Sequence, residues 1–197
     1  PCIAQRGQLL VELEWDGEQV HAGWAADRPE RPVNAISRAV RDLAALDAVR
    51  FERVHPMLGR IAVTPTQLTA GVARNVTPPR CTAMLDIRTT PEYGHAEIVE
   101  TLRRRLEAQV RVYSDRLVPA ATPEGSALLA ALVRTRPGAR PFASPTCSDW
   151  VFLRHVDALK LGPGDSRRSH TADESIDLEE VVAGARLYRD LALEYLR

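Results

Sequence analysis

Gln8-Leu9-Leu10-Val11-Glu12-Leu13-Glu14-Trp15 alternates and is rich in Leu and Val, the two-residue period of a half-buried strand. Asp16-Gly17 follows as a turn signal before residues 18–24, so the sequence predicts a hairpin here. Outward from this stretch, Val33, Ile36, Ala39, Val40 and Leu43 recur at helical spacing between residues 32 and 46, with Asn34 near the start, which predicts an amphipathic helix. Residues 60–68 and 80–87 alternate like half-buried strands and are separated by Gly71 and the turn Asn75-Val76-Thr77-Pro78-Pro79. Prolines hold such a turn outside the sheet, so the two are expected as an antiparallel pair. Ile98, Leu102 and Leu106 line one face of a helix over residues 95–109, and a short strand is expected at 110–113. The order strand, strand, helix, strand, strand, helix, strand is close to a split β-α-β sandwich with its helices on one face.

After Pro119 the composition shifts. Residues 119–123 read as a linker, followed by a helix at 126–135, a proline-rich approach to Ser144, a short helix around 150–154, a strand at 158–161, a glycine turn and a final helix. Leu178, Val181, Val182, Ala185, Tyr188, Leu191, Ala192 and Tyr195 are expected as the buried stripe of that helix. The chain therefore divides into residues 1–116 and residues 117–197, the second resembling the last third of an α/β domain.

The chain has 197 residues, 45% hydrophobic and 26% charged, an ordinary globular composition that excludes a disordered chain. Twenty-six basic residues balance 26 acidic ones, so no net field favours nucleic acid or an anionic membrane. Cys2, Cys81 and Cys147 are odd in number and outside any C-x-x-C spacing; neither a disulfide framework nor a thiolate zinc site is suggested, and a reducing cytoplasmic setting fits. The apolar runs are far shorter than the roughly 20 residues a membrane helix needs, and no basic-apolar-small signal segment opens the chain. Residue 1 is proline and leads at once into strand-like sequence without an initiator methionine. It reads as a cut end, so a fragment, or a chain that has lost a preceding segment, is expected.

The chemistry concentrates in Leu161-Gly162-Pro163-Gly164-Asp165-Ser166-Arg167-Arg168-Ser169-His170-Thr171-Ala172-Asp173-Glu174. A strand ends in two glycines that let backbone approach a ligand closely, and a histidine and a carboxylate follow on a polar loop. This suits a metal or anion site at the carboxyl end of a sheet. Taken alone, a single histidine is more often a surface or capping residue, since a zinc site needs at least three protein ligands.

G-P-G-D-S-x-x-S-H-T-A-D-E at 162–174, preceded by Ser144-Pro145-Thr146-Cys147-Ser148-Asp149, resembles the C-terminal signature of M20 family metallohydrolases, of the acetylornithine deacetylase type. Val20-His21, Arg28-Pro29 and Val33-Asn34-Ala35-Ile36 resemble that family's lid pattern, Arg74-Asn75-Val76-Thr77-Pro78 its N-V-I-P turn, and Asp86-Ile87-Arg88 its D-x-R strand end. The resemblance covers nearly the whole chain. It implies a ferredoxin-like α+β sandwich lid through which subunits dimerise, at residues 1–116, and a C-terminal part of a two-zinc α/β catalytic domain, at residues 117–197.

The resemblance also implies roles. His170 would bind one zinc through a neutral imidazole nitrogen. Glu174 would orient that imidazole, or else be an acidic residue near the start of the last helix. His21 would reach the neighbouring subunit's active site and donate to the substrate carbonyl as charge develops there, on the order of 3 kcal/mol in a dry site. Asn75 would bind substrate across the same interface; otherwise it is a turn asparagine. Arg88 would recognise the substrate carboxylate with a planar guanidinium, or else simply pair with Asp86. Gly162 and Gly164 would bring amides to that carboxylate or clear room for it, while His55, His95 and His155 match nothing and are expected as surface or packing residues. The family's His-x-Asp, bridging Asp and Glu-Glu motifs, which supply the other ligands and the general base, are not found in these residues.

The expected activity is zinc-dependent hydrolysis of an N-acetyl amino acid, N-acetylornithine first, in arginine biosynthesis, with two zinc ions per complete subunit and cobalt as a substitute. Acetylcitrulline, acyl-lysine and succinyl-diaminopimelate are the rival substrates. These residues alone are expected to be inactive, and a non-catalytic dimerising remnant is the rival of another class. The expected partners are a small N-acyl amino acid and a second copy, with no nucleic acid and no membrane.

Overall fold

The computed structural model describes residues 1–27, 34–169 and 171–197. In chain order the regular elements are β1 (Cys2–Gln5), β2 (Gly7–Asp16), α1 (Ala35–Leu46), β3 (Ala62–Ala70), β4 (Arg80–Thr89), α2 (His95–Arg105), β5 (Gln109–Leu117), β6 (Ala120–Ala121), α3 (Ala127–Thr135), β7 (Phe142–Ser144) and α4 (Leu178–Tyr195).

Elements β2 to β5 form a four-stranded antiparallel sheet in the order β3-β4-β2-β5. Together with α1 and α2 this is a ferredoxin-like β-α-β-β-α-β unit. Its core is fixed by the two-residue period: Leu9, Val11, Leu13 and Trp15 of β2, and Cys81, Ala83, Leu85 and Ile87 of β4, turn to the helices and are buried. Ala35 and Ala39 of α1 and Ile98, Val99 and Leu102 of α2 meet them. Each large apolar side chain buried there contributes about 1.5–3 kcal/mol. Asn34 starts α1 by accepting the amides of Ile36 and Ser37 at 2.9 and 3.2 Å, an N-cap that satisfies two otherwise orphaned donors. Pro65 lies in β3, at the sheet edge, where the missing donor is tolerated.

The hairpin expected around Asp16-Gly17 does not form. Both edges of β2 are taken, by β4 and β5, so the chain beyond Asp16 has no free edge to pair with. It is laced instead to the turn before β4: Gly17 N–H donates to Pro79 O at 2.8 Å, Val20 N–H to Thr77 Oγ1 at 3.0 Å, and Thr77 N–H to Val20 O at 2.9 Å. A 3-10 turn at Ala22–Asp27 stands where the second strand was expected.

The second sheet is small, in the order β6-β1-β7, with β1 antiparallel to β6 and parallel to β7. Residues 2–5, grouped by the sequence with the first unit, thus pair with the second half of the chain. Residues 119–123, read as a linker, contain β6 and are held in that sheet. The strand expected at 158–161 reduces to a single bridge, Lys160 with Cys2, and the helix expected around 150–154 is a 3-10 turn at Asp149–Leu153.

α3 starts on Ser126, whose Oγ accepts Leu129 N–H at 2.9 Å, and packs on α4 through Ala131, Leu132 and Leu191. Only Gly184 and Leu191 of α4 are buried. Of the stripe expected there, Leu191 is buried, while Leu178, Val181, Val182, Tyr188 and Tyr195 are exposed, from 83% at Leu178 to 43% at Tyr188, because α3 covers only the strip around Leu187 and Leu191. Where the chain passes between the two sheets, Gly7 is obligatory: a Cβ there would stand 2.5 Å from both Leu117 O and Thr89 Oγ1. Among the described residues no helix is long and apolar enough to cross a membrane.

Candidate functional site

Thr77 is the reason His21 and Asn75 come together. Its hydroxyl donates to Glu18 O at 2.5 Å and accepts from Val20 N–H, tying residues 18–22 to the turn before β4. His21 then bridges Val76, and Ala22 N–H donates to Asn75 O at 2.9 Å. Both His21 and Asn75 are exposed. His21 Nδ1 accepts Gly23 N–H at 3.2 Å, so in the neutral ring Nε2 carries the proton and has no hydrogen-bond partner among the described residues.

Arg88 stands at the opposite end of β4. The eight steps from Arg80 to Arg88 span about 26 Å at roughly 3.3 Å each, and the His21–Asn75 pair lies beyond Arg80. A guanidinium at one end and an imidazole at the other cannot touch one small molecule within a single subunit. Arg88 Nη2 donates to Asp86 Oδ2 at 3.0 Å, and Nε lies 2.8 Å from Oδ1. Gln8 Nε2 donates to the same Oδ2 at 2.8 Å. The simple pairing with Asp86 is therefore present, and it leaves the Nη1 edge of the guanidinium for another anion. Arg6 caps the Arg88 carbonyl through Nη1 at 3.2 Å; burial, and secondarily the Arg88 charge, lower its own basicity.

The loop carrying the glycines is fastened to α4. Pro163 sits on Gly184, where a Cβ would lie 2.9 Å from the proline Cβ, and Tyr188 Oη donates to Leu161 O at 2.9 Å. Arg168 Nη2 reaches both oxygens of Glu180, at 2.6 and 2.5 Å, while Glu180 also completes a capping box with Asp177 at the start of α4. A Cβ at Gly162 would meet nothing within 4 Å; Gly164 has φ +77°, a backbone shape that favours glycine. Arg167 hydrogen-bonds the Asp165 carboxyl and holds it down at about 2. Glu174 is exposed, with Ser169 Oγ 3.5 Å from its Oε1.

His170 lies outside the described residues, as do Arg28, Pro29 and Val33 of the lid pattern. Among the described residues no three of His, Cys, Asp and Glu gather in a group that could hold a metal. The described side chains do not by themselves complete a zinc site.

The structure thus brings His21 to Asn75, sets Gly162, Gly164 and Glu174 on one stretch around residue 170, and keeps the first pair far from Arg88. The charges of Arg88 and Lys160 both act on the Cys147 thiol, opposing the upward push of burial. Gly23 and Thr77 were passed over in the sequence; Thr77 had a legible signal as the hydroxyl of a Pro-flanked turn, Gly23 had none. His95, read as surface or packing, is half-buried, its Nε2 3.0 Å from Thr89 Oγ1 and its Nδ1 3.0 Å from Asp115 O.

Among curated relatives, a putative [LysW]-lysine/[LysW]-ornithine hydrolase of Pyrobaculum aerophilum is 30% identical over 99% of this chain and 55% of its own length. An acetylornithine deacetylase of Myxococcus xanthus is 28% identical over 92% of this chain and 51% of its own. The chain spans about half the length of the curated relatives it matches. In fold it is similar to the crystal structure of aminopeptidase PepT from Bacillus cereus, with a TM-score of 0.76 at 20% identity over 100% of this chain and 54% of that one. Residues 3–114, which hold strands β2, β3 and β4, both helices of that unit and six of the nine residues of β5, match the M20 peptidase dimerisation domain, and the chain belongs to that family.

Proposed function

We propose that the protein is a zinc-dependent amidohydrolase that removes the acyl group from an N-acyl amino acid, with N-acetylornithine as substrate and arginine biosynthesis as its setting. Acetylcitrulline, acyl-lysine and succinyl-diaminopimelate are the competing substrates. It works in the cytoplasm as a homodimer joined through residues 1–116, the remaining residues 117–197 belonging to the catalytic domain. His170 is offered as one zinc ligand, with Glu174 behind it, and two zinc ions, or cobalt in their place, supply the Lewis acidity when bound.

Arg88 takes the substrate carboxylate on its Nη1 edge, with Gly162 and Gly164 leaving space beside it. His21 donates from Nε2 to the scissile carbonyl of the other subunit's substrate, where a preorganised donor stabilises the developing oxyanion by on the order of 3 kcal/mol; Asn75 binds the same substrate. What supports this reading most is that the His21–Asn75 pair and Arg88 stand at opposite ends of β4, whose stretch from Arg80 to Arg88 alone spans about 26 Å: both sets serve one substrate only when two copies meet. Ile36 and Val40 on α1 and Leu68 on β3, exposed by 40%, 56% and 56% on adjoining elements at an open sheet edge, are the surface offered to the second copy.

The test is complementation in the full-length protein. His21→Ala and Arg88→Ala dimers, each alone, are expected to be nearly inactive on N-acetylornithine. Mixed and allowed to exchange, half the dimers become heterodimers with one intact site in two, restoring about a quarter of parental activity. No restoration overturns the shared site. A zinc-free dimer inert on all four substrates would leave the non-catalytic remnant as the function.

A further inference from the structure

The turn that carries His21 is more elaborate than an exposed strand end requires. Trp24 N–H donates to His21 O at 2.9 Å, closing the 3-10 turn. Gly23 N–H, one residue earlier, donates to His21 Nδ1 at 3.2 Å. The imidazole lies so near this backbone that a Cβ on Gly23 would stand 3.3 Å from Nδ1 and 3.6 Å from Cε1, the first close enough that the ring would have to shift by a few tenths of an ångström. On its other side the Trp24 indole is tilted at 53° with ring centroids 5.9 Å apart, within the range of favourable aromatic pairs. Of the three tryptophans, Trp15 and Trp150 are core residues at 1% and 6% exposure, while Trp24 is 68% exposed. Trp24 thus presents its indole to the surface beside the His21 imidazole.

We infer that Gly23 and Trp24 are positioning residues for His21: the Gly23 amide fixes the tautomer with its proton on Nε2, and the Trp24 ring forms the apolar wall that keeps that donor dry when substrate and second subunit close over it. A neutral imidazole in water samples both tautomers, and only Nε2–H points a donor away from the turn. Presetting it removes the reorganisation that would otherwise accompany the developing negative charge. The bulk of Trp24 excludes water from the same face, where the hydrogen bond gains most from a low dielectric. This inference rests on the proposal that His21 meets the substrate, but its first readout does not.

The full-length protein labelled with 15N-histidine reports the tautomer directly, with His21→Gln assigning the resonance. A protonated Nε2 and an unprotonated Nδ1 are expected; a proton on Nδ1, or an averaged ring, overturns the inference whatever the activity. In kinetics, Gly23→Ala is expected to lower kcat on the order of tenfold with KM changed less than twofold. Trp24→Ala is expected to lower kcat about fivefold, and Trp24→Phe to recover to within about twofold of the parent. Circular dichroism and zinc content matching the parent exclude misfolding; a folded Gly23→Ala protein with parental kcat overturns the positioning role. His21→Ala separates the two ideas: if that variant keeps parental activity while the tautomer is as expected, the proposed catalytic role of His21 fails and the preset ring stands.

Discussion

The Trp15 indole N–H donates to Asp42 Oδ2 at 2.7 Å, and that same oxygen accepts Ala108 N–H at 2.8 Å. One carboxylate on α1, 5% exposed, thus joins β2 to the loop that leads from α2 into β5. Burying a carboxylate is tolerated because it accepts from both groups, and removing it strands two donors in the core. Asp42→Ala is expected to lower stability by about 3 kcal/mol, read as a shift in the urea midpoint at unchanged slope. Asp42→Asn, which keeps one acceptor oxygen, should lose less; equal losses for the two would show that volume rather than hydrogen bonding holds the joint.

Gly7 tests the connection between the sheets. Its missing side chain is bounded by Leu117 O and Thr89 Oγ1 at 2.5 Å and by Pro119 N at 2.6 Å, and two of these are backbone atoms of paired or proline-fixed chain. Gly7→Ala should therefore cost about 3 kcal/mol from overpacking alone. Thermal unfolding measures it, and a variant as stable as the parent would mean that β2 and β5 can part at this point without penalty.

How much of this could be read from the sequence varies with what fixed each element. The cores of β2 and β4 and the Asn34 cap of α1 were legible because they are set by local period and a neighbouring side chain. The hairpin after Asp16 was misread because a turn signal reports only on local backbone, whereas the fate of residues 18–24 was decided by β4 and β5, far along the chain, occupying both edges of β2. The apolar spacing of α4 was read correctly as helical, yet Leu178 and Val182 are exposed, since a period says which residues share a face and nothing about what covers it. At the site, Arg88 and the Gly162 turn could be named by resemblance, and the pairing of Arg88 with Asp86 was legible from their spacing, but the grip of Gly23 on His21 depends on angles that no spacing encodes.

His95 gives a pH dependence. Burial lowers its basicity below the ordinary value of 6.5, only partly offset by the Asp115 carbonyl. The unfolded chain therefore takes up a proton first as pH falls. Stability contributed by this residue is intact above 6.5, declines below it, and levels off once the folded ring also titrates. Denaturant melts between pH 7 and 5 should show a steeper decline for the parent than for His95→Gln. Parallel curves would mean that the ring is no less basic in the folded chain.

The exposed edge formed by α1 and β3 yields the last expectation. Val40 is 56% exposed on α1 and Leu68 56% exposed on β3, and neither is a member of the buried core of the first unit. A charge at Val40 therefore has no fold-level reason to destabilise the subunit, since surface substitutions away from special features stay within about 0.5 kcal/mol. If the edge is where a second copy docks, Val40→Asp introduces an unpaired carboxylate at a dry contact, which is strongly unfavourable there. Sedimentation velocity on the full-length protein should then show a monomer with parental circular dichroism. Because His21 would be supplied by the other subunit, activity should fall on the order of a hundredfold, the usual consequence of losing one oxyanion donor, even though Val40 is remote from the substrate. A monomer that keeps full activity would separate assembly from catalysis and return His21 to the role of a turn residue, and an intact dimer would move the interface to another face of the sheet.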